Sequence, residues 1–206
     1  MPFVDLNCWM KLLTNLADDE LLRMMASRNE EAFTVLYQRR HGAVYRFALQ
    51  MSGSPSVAEE VTQEVFMVLL HEGSGYDSGR GTLASYLYGV ARRLAWRRMA
   101  QDRTHVRIEE GEQDGRTPEQ LIARSEVESA LARDQAVKSL RRAILALPAG
   151  YREAVVLCDL HELSYADAAR ALGCAVGTVR SRLHRARALL SERLAAKRSN
   201  SSGCLV

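Results

Sequence analysis

The sequence predicts an all-α protein of two small helical domains joined by an acidic flexible linker, and three observations predict it. Apolar residues recur at intervals of three and four rather than two along most of the 206 residues. Glycine and proline punctuate these stretches, at Gly53 and Pro55, from Gly73 to Gly81, and at Pro148 and Gly150. Between Asp102 and about Pro118 the chain is polar and acidic, with too little apolar surface to offset the entropy of ordering it.

Taken in order, Asp18 or Asp19 can cap a first helix carrying Leu21, Leu22 and Met25. After a break near Ser27 to Asn29, a second carries Phe33, Leu36, Tyr37, Val44 and Phe47, and Met51 to Ser56 forms a turn. A third runs from about Val57 to His71 with Val61, Val65, Val68 and Leu69 inside. The glycines from 73 to 81 make a flexible loop, and Thr82 opens a long helix through Leu83, Leu87, Val90 and Leu94 to about Gln101. Beyond the linker come helices at Glu119 to about Leu147, Tyr151 to Asp159, Ser164 to Leu172 and about Thr178 to Leu194. The Ser- and Asn-rich tail is expected to be disordered. The domains expected are an extension over 1–17, a first domain over 18–101, a linker over 102–137, a second domain over 138–195 and a tail over 196–206.

Composition excludes several classes. The chain is 47% hydrophobic and 26% charged, ordinary for a globular protein. Its apolar runs fall far short of the roughly 18 residues that cross a bilayer, and no basic signal start precedes Asp5, so a cytoplasmic protein is expected. Cys8, Cys158, Cys174 and Cys204 lack regular spacing, which suits reduced thiols. Charge is uneven. Residues 1–101 carry 11 basic and 11 acidic side chains, 102–137 carry 5 and 9, and 138–206 carry 12 and 5, a net of +7 in the last segment. A basic module behind an acidic segment points to a polyanion partner. No phosphate-cradling loop, nucleophile elbow or paired metalloprotease histidines occur, so no enzyme and no cofactor is expected.

The strongest motif starts at Ser164. Its hydroxyl can cap a helix with Asp167 three residues on, Ala168, Ala169 and Leu172 form a small buried face, and Gly173 can end the helix left-handed. A second helix follows after Gly177, the spacing of a helix-turn-helix. On a helical wheel Val179, Leu183, Ala186 and Leu190 share one face of that helix and Ser181, His184, Arg185 and Ala188 the other, with Arg180, Arg182 and Arg187 flanking. Such a face can read base edges and reach phosphates, because the arginine fork is bidentate toward guanine.

Residues 148–190, above all Val176-Gly-Thr-Val-Arg-Ser-Arg-Leu-His-Arg-Ala-Arg187, closely resemble domain four of extracytoplasmic-function sigma factors of the sigma-70 family. Upstream, Ala32-Phe33 to Tyr45-Arg46-Phe47 resembles region 2.1, Glu60-Val-Thr-Gln63-Glu64-Val-Phe66 region 2.2, and Tyr76-Asp-Ser-Gly-Arg80-Gly to Val90-Ala-Arg92-Arg93 regions 2.3 and 2.4. The likeness covers about residues 18–195 in the family's order.

The resemblance implies an RNA polymerase sigma factor, acting in a stress or envelope response under an anti-sigma factor. Arg180, Ser181, Arg182, His184 and Arg185 would read the minus-35 element as duplex. Tyr76, Arg80, Arg92, Arg93, Trp96 and Arg97 would capture the melted non-template strand of the minus-10 element. Glu60, Gln63 and Glu64 would grip the clamp of the largest subunit of core polymerase, and the linker would lie as an RNA-like thread near the exit path. Two positions depart from the family. Glu60 stands where aspartate is commoner, which keeps the charge, and Arg93 stands where many members carry asparagine, which changes the expected minus-10 base preference.

Two other classes compete. A metal or redox sensor would use the Cys158 and His161 pair with Cys174, His184 or Cys8, but zinc wants four converging ligands and buried thiols fit these apolar settings better. An ordinary helix-turn-helix regulator would explain residues 148–194 and leave the glycine loop and the Glu60 to Phe66 helix without a role.

Overall fold

A computed structural model describes residues 13–71, 76–106 and 126–202, with side chains over 13–71, 76–101 and 134–195. The expectations for residues 1–12, for Gly73 and Gly75, and for most of the acidic linker lie outside the described residues.

The first unit is built from α1 (Asp18–Ala26), α2 (Glu30–Ser52), α3 (Pro55–His71) and α4 (Leu83–Val106). Asn29 caps α2 by accepting from the Ala32 N–H at 2.8 Å. Helix α1 is not capped by Asp18 or Asp19. The Ala17 N–H instead donates to Glu20 at 3.1 Å, while the Asp18 carboxylate is engaged by Arg39 at 2.6 Å and by Arg40. The apolar stripes read from the sequence meet in a core of Leu36, Val44, Phe47, Val61, Val65 and Leu87, each at most 3% exposed.

The second unit comprises α5 (Glu126–Leu145), α6 (Ala149–Val155), α7 (Tyr165–Leu172) and α8 (Val176–Ser202). Helix α6 continues over Val156–Leu160 in a wider turn closed by His161 N–H to the Val156 carbonyl at 3.0 Å. Ser164 caps α7 by accepting from the Asp167 N–H at 3.0 Å, and Gly173 ends it at φ 64°, a conformation an L side chain resists. Helix α8 runs on past Leu194 to Ser202: residues 191–198 contain no glycine or proline to stop it and are rich in strong helix formers.

The two units pack against each other and share one continuous apolar cluster. Helix α4 lies along α7 at Gly89, where a Cβ would stand 3.4 Å from the Ala171 carbonyl oxygen, and α2 meets α5 and the wide turn after α6. Several polar contacts bridge the seam. The Arg152 guanidinium, on α6, donates to the Met51 carbonyl at 2.6 Å and to the Leu147 carbonyl at 3.2 Å, and it also binds the Leu145 carbonyl. His161 links Tyr88 Oη at 2.9 Å to Gln50 Oε1 at 2.8 Å.

Candidate nucleic-acid and polymerase interface

Helix α8 presents the two faces expected of it. Val179, Leu183 and Ala186 are at most 2% exposed and Leu190 is buried beside them, whereas Arg180, Ser181, His184, Arg185 and Ala188 are exposed and Arg182 half-buried. Neighbouring elements hold the arginines. The Arg180 guanidinium lies over the Tyr165 ring at 5.7 Å, Arg185 is hydrogen-bonded to Tyr151, and Arg187 makes a two-pronged pair with Asp159 at 2.6 and 3.1 Å. Bonding to the Tyr151 hydroxyl raises the Arg185 pKa further, so the cation is fixed at any working pH. Arg187 is thereby committed to Asp159. Sequence inspection passed over Tyr151 and Tyr165 as supports, since each acts from a different helix.

In the first unit, Tyr76, Arg80, Ser85, Tyr86 and Arg93 line a cleft of about 450 Å3. The Tyr76 hydroxyl lies 2.9 Å from Asp19 Oδ1 and 3.0 Å from the Gly81 carbonyl, tying the loop to α1. Burial first, then the Asp19 carboxylate, pushes its pKa up to about 12, so it stays a neutral phenol. The Tyr76 and Tyr86 rings stand 5.8 Å apart at the cleft wall, and Arg80 and Arg93 are exposed around it. Arg92 and Trp96 sit differently. Arg92 Nε and Trp96 Nε1 both donate to Glu153 Oε1, at 2.5 and 2.7 Å, and Arg152 stands 6.0 Å from the indole centroid. Arg97 pairs with Glu64. The six candidate strand-binding residues are therefore split between an open cleft, the seam between units and an ion pair.

Glu60, Gln63 and Glu64 do share one surface of α3, and Arg98, which sequence reasoning missed, bridges Glu60 at 3.0 Å and Glu64 at 3.2 Å. Past Glu64 the same helix exposes Met67 and Leu70, with Tyr37 of α2 beside Phe66 in edge-on contact at 4.8 Å. A strip of carboxylates paired with Arg97 and Arg98, next to exposed apolar side chains, suits a protein partner.

The Cys158 and His161 pair forms no metal cluster: among the described residues no group of three or more His, Cys, Asp and Glu could hold an ion. Both His161 nitrogens are engaged in the seam. Burial, with Arg46 nearby, lowers its pKa from 6.5 to about 4, so the folded protein holds the neutral ring. The contribution of His161 to stability is complete above pH 6.5 and is lost as pH falls from 6.5 toward 4. Thermal melts across that window should show the native protein losing stability more steeply than His161→Gln; parallel profiles would refute the assignment.

Fold and geometry together define a class: a two-unit helical protein with a helix-turn-helix in the second unit and an aromatic, arginine-lined cleft in the first. Residues 36–104 match the family model described as Sigma-70 region 2, and residues 138–190 match Sigma-70, region 4. The chain is 34% identical over 184 residues to the ECF RNA polymerase sigma factor SigE of Mycolicibacterium smegmatis, covering 86% of this chain and 61% of that protein. It is 31% identical over 183 residues to the ECF RNA polymerase sigma factor SigM of Mycobacterium tuberculosis, covering 86% and 85% respectively. Among solved structures, the sigma factor RpoE in complex with the anti-sigma factor NepR from Bartonella quintana superposes with a TM-score of 0.63 at 26% identity, over 79% of this chain and 96% of that one. CnrH in complex with the cytosolic domain of CnrY gives 0.64 at 25% identity, over 88% and 99%. The chain belongs to the extracytoplasmic-function sigma factors of the sigma-70 family. Among the described residues no helix is long and apolar enough to cross a membrane.

Proposed function

We propose that this sigma factor directs core RNA polymerase to promoters through three surfaces and by binding alone, with no bond chemistry of its own, in the cytoplasm. The outer face of α8 carries the reading: four base- and phosphate-competent side chains, Arg180, Ser181, His184 and Arg185, point away from a fully buried opposite face. This face enters the major groove of the minus-35 element, with Arg182 at its edge. The cleft of Tyr76, Tyr86, Arg80 and Arg93 takes a base extruded from the melted minus-10 strand, Arg92 and Arg97 line the path of its backbone, and the Trp96 ring offers a face on which a further base stacks. Arg93 brings charge and reach to that cleft in place of an amide. The acidic strip of Glu60, Gln63 and Glu64, extended by Met67, Leu70 and Tyr37, docks on the polymerase clamp. An anti-sigma factor is the expected regulator, as for the RpoE of similar fold.

Run-off transcription with purified core polymerase and a promoter library tests the proposal: specific initiation should depend on adding the protein. Arg185→Ala should weaken binding by about tenfold or more at one minus-35 base pair and relax preference there. A variant that bound every sequence as the parent does would remove Arg185 from the reading face.

A further inference from the structure

The first turn of α6 lies outside the helix-turn-helix, yet it supports two arginines of the reading helix. The Tyr151 hydroxyl accepts a hydrogen bond from Arg185. A Cβ on Gly150 would stand 3.3 Å from both Cζ and Nε of Arg182, so that guanidinium lies directly against the α6 main chain. From α7 the Tyr165 ring takes Arg180 at 5.7 Å. The turn itself is fixed: the Tyr151 and Arg152 N–H groups both donate to the Pro148 carbonyl at 3.0 Å, and Tyr151 packs against the buried core.

Two kinds of partner hold the arginines of α8, with opposite consequences. Asp159 is a carboxylate, and its two-pronged pair with Arg187 at 2.6 and 3.1 Å occupies the fork and offsets its charge. A phenol oxygen, a glycine main chain and an aromatic ring are neutral, so they restrict a guanidinium and leave its charge available. Arginine carries five N–H donors, and one bond to Tyr151 leaves Arg185 enough for a bidentate contact with guanine. Freedom already lost in the free protein is not lost again on binding, so a braced guanidinium binds more tightly and tolerates a displaced acceptor less. We infer that Gly150 and Tyr151 are positioning residues for the minus-35 element. Tyr151 presets Arg185 and so sharpens base discrimination, while the missing side chain at Gly150 gives Arg182 room to lie at the groove edge and meet phosphate. The inference deepens the minus-35 reading and rests on it.

Both roles are tested in the holoenzyme, by competition among promoter fragments varied at each minus-35 base pair. Tyr151→Phe keeps the ring and its packing and removes only the acceptor. It should reduce preference at the one base pair that Arg185 reads by about 3- to 10-fold, the size of one hydrogen bond, with the salt dependence and urea midpoint of the parent. In an Arg185→Ala background the same change should do nothing further; an added loss there would mean that Tyr151 touches DNA itself and would overturn the positioning role. Gly150→Ala introduces a better helix former, so stability should equal or exceed that of the parent. Its Cβ should nonetheless displace the Arg182 guanidinium and weaken binding to all fragments alike by about 2- to 5-fold, with a shallower salt dependence. Parent-like binding by this variant would remove Gly150 from the platform. If Arg185→Ala leaves every base preference unchanged, the minus-35 reading is what fails; if it relaxes preference while Tyr151→Phe does not, the positioning role alone fails.

Discussion

Truncating Phe47 to alanine is expected to lower stability by about 3–5 kcal/mol, seen as a lower urea midpoint with an unchanged slope. The ring is fully buried in α2. It packs against Tyr88 at 5.2 Å between centroids and meets the His161 ring edge-on at 5.9 Å, so one side chain fills the core of the first unit and props the seam with the second. The cavity cannot close by local collapse, because its walls belong to three separate segments. Phe47→Leu retains most of the volume and should cost under about 1.5 kcal/mol. A loss under about 1 kcal/mol for the alanine variant would show that the seam relaxes freely around the cavity.

Arg152→Ala is the second large effect, about 3 kcal/mol, and its origin is different. The guanidinium satisfies carbonyls at Met51, Leu145 and Leu147, all at or near helix C-termini whose last acceptors have no intrahelical donor. Removing it leaves these acceptors in a region water reaches poorly, and each unsatisfied group carries a desolvation penalty. Lysine restores the charge but not the fork, so Arg152→Lys should recover only part of the loss. Equal stability of the parent and the alanine protein in urea titrations would mean that water serves the same carbonyls.

Helix type and register were legible in the sequence because they are local. The four residues placed on the inner face of α8 are all buried, and the Ser164 cap and Gly173 stop occur as read. The cap of α1 was not legible, since Asp18 is a good capping residue whose carboxylate is taken by arginines more than twenty residues away. The same holds at the candidate sites. The resemblance implies that Arg92, Trp96 and Arg97 meet a melted strand, yet their partners within the chain lie 57 to 61 residues away at Glu153 and 33 away at Glu64. Glu153 and Arg152 sit within an apolar helix pattern, where a periodicity argument assigns them no role. His161 suggested a metal through its spacing from Cys158, while its bonds to Tyr88 and Gln50, 73 and 111 residues away, cross the chain. Spacing reports what shares a helix face; it carries no information about which distant face will cover it.

The close approach at Gly89 limits how this protein can change. Because a Cβ at 89 would already be in van der Waals contact with the main-chain oxygen of Ala171, the further methyl groups of a branched residue there must find room beside something that no replacement at 171 can shrink. Compensation must come from moving α7 as a body. A suppressor screen begun from Gly89→Val should therefore return substitutions in the turns flanking α7, at Glu162 to Ser164 or Gly173 to Ala175, and not at the contact itself.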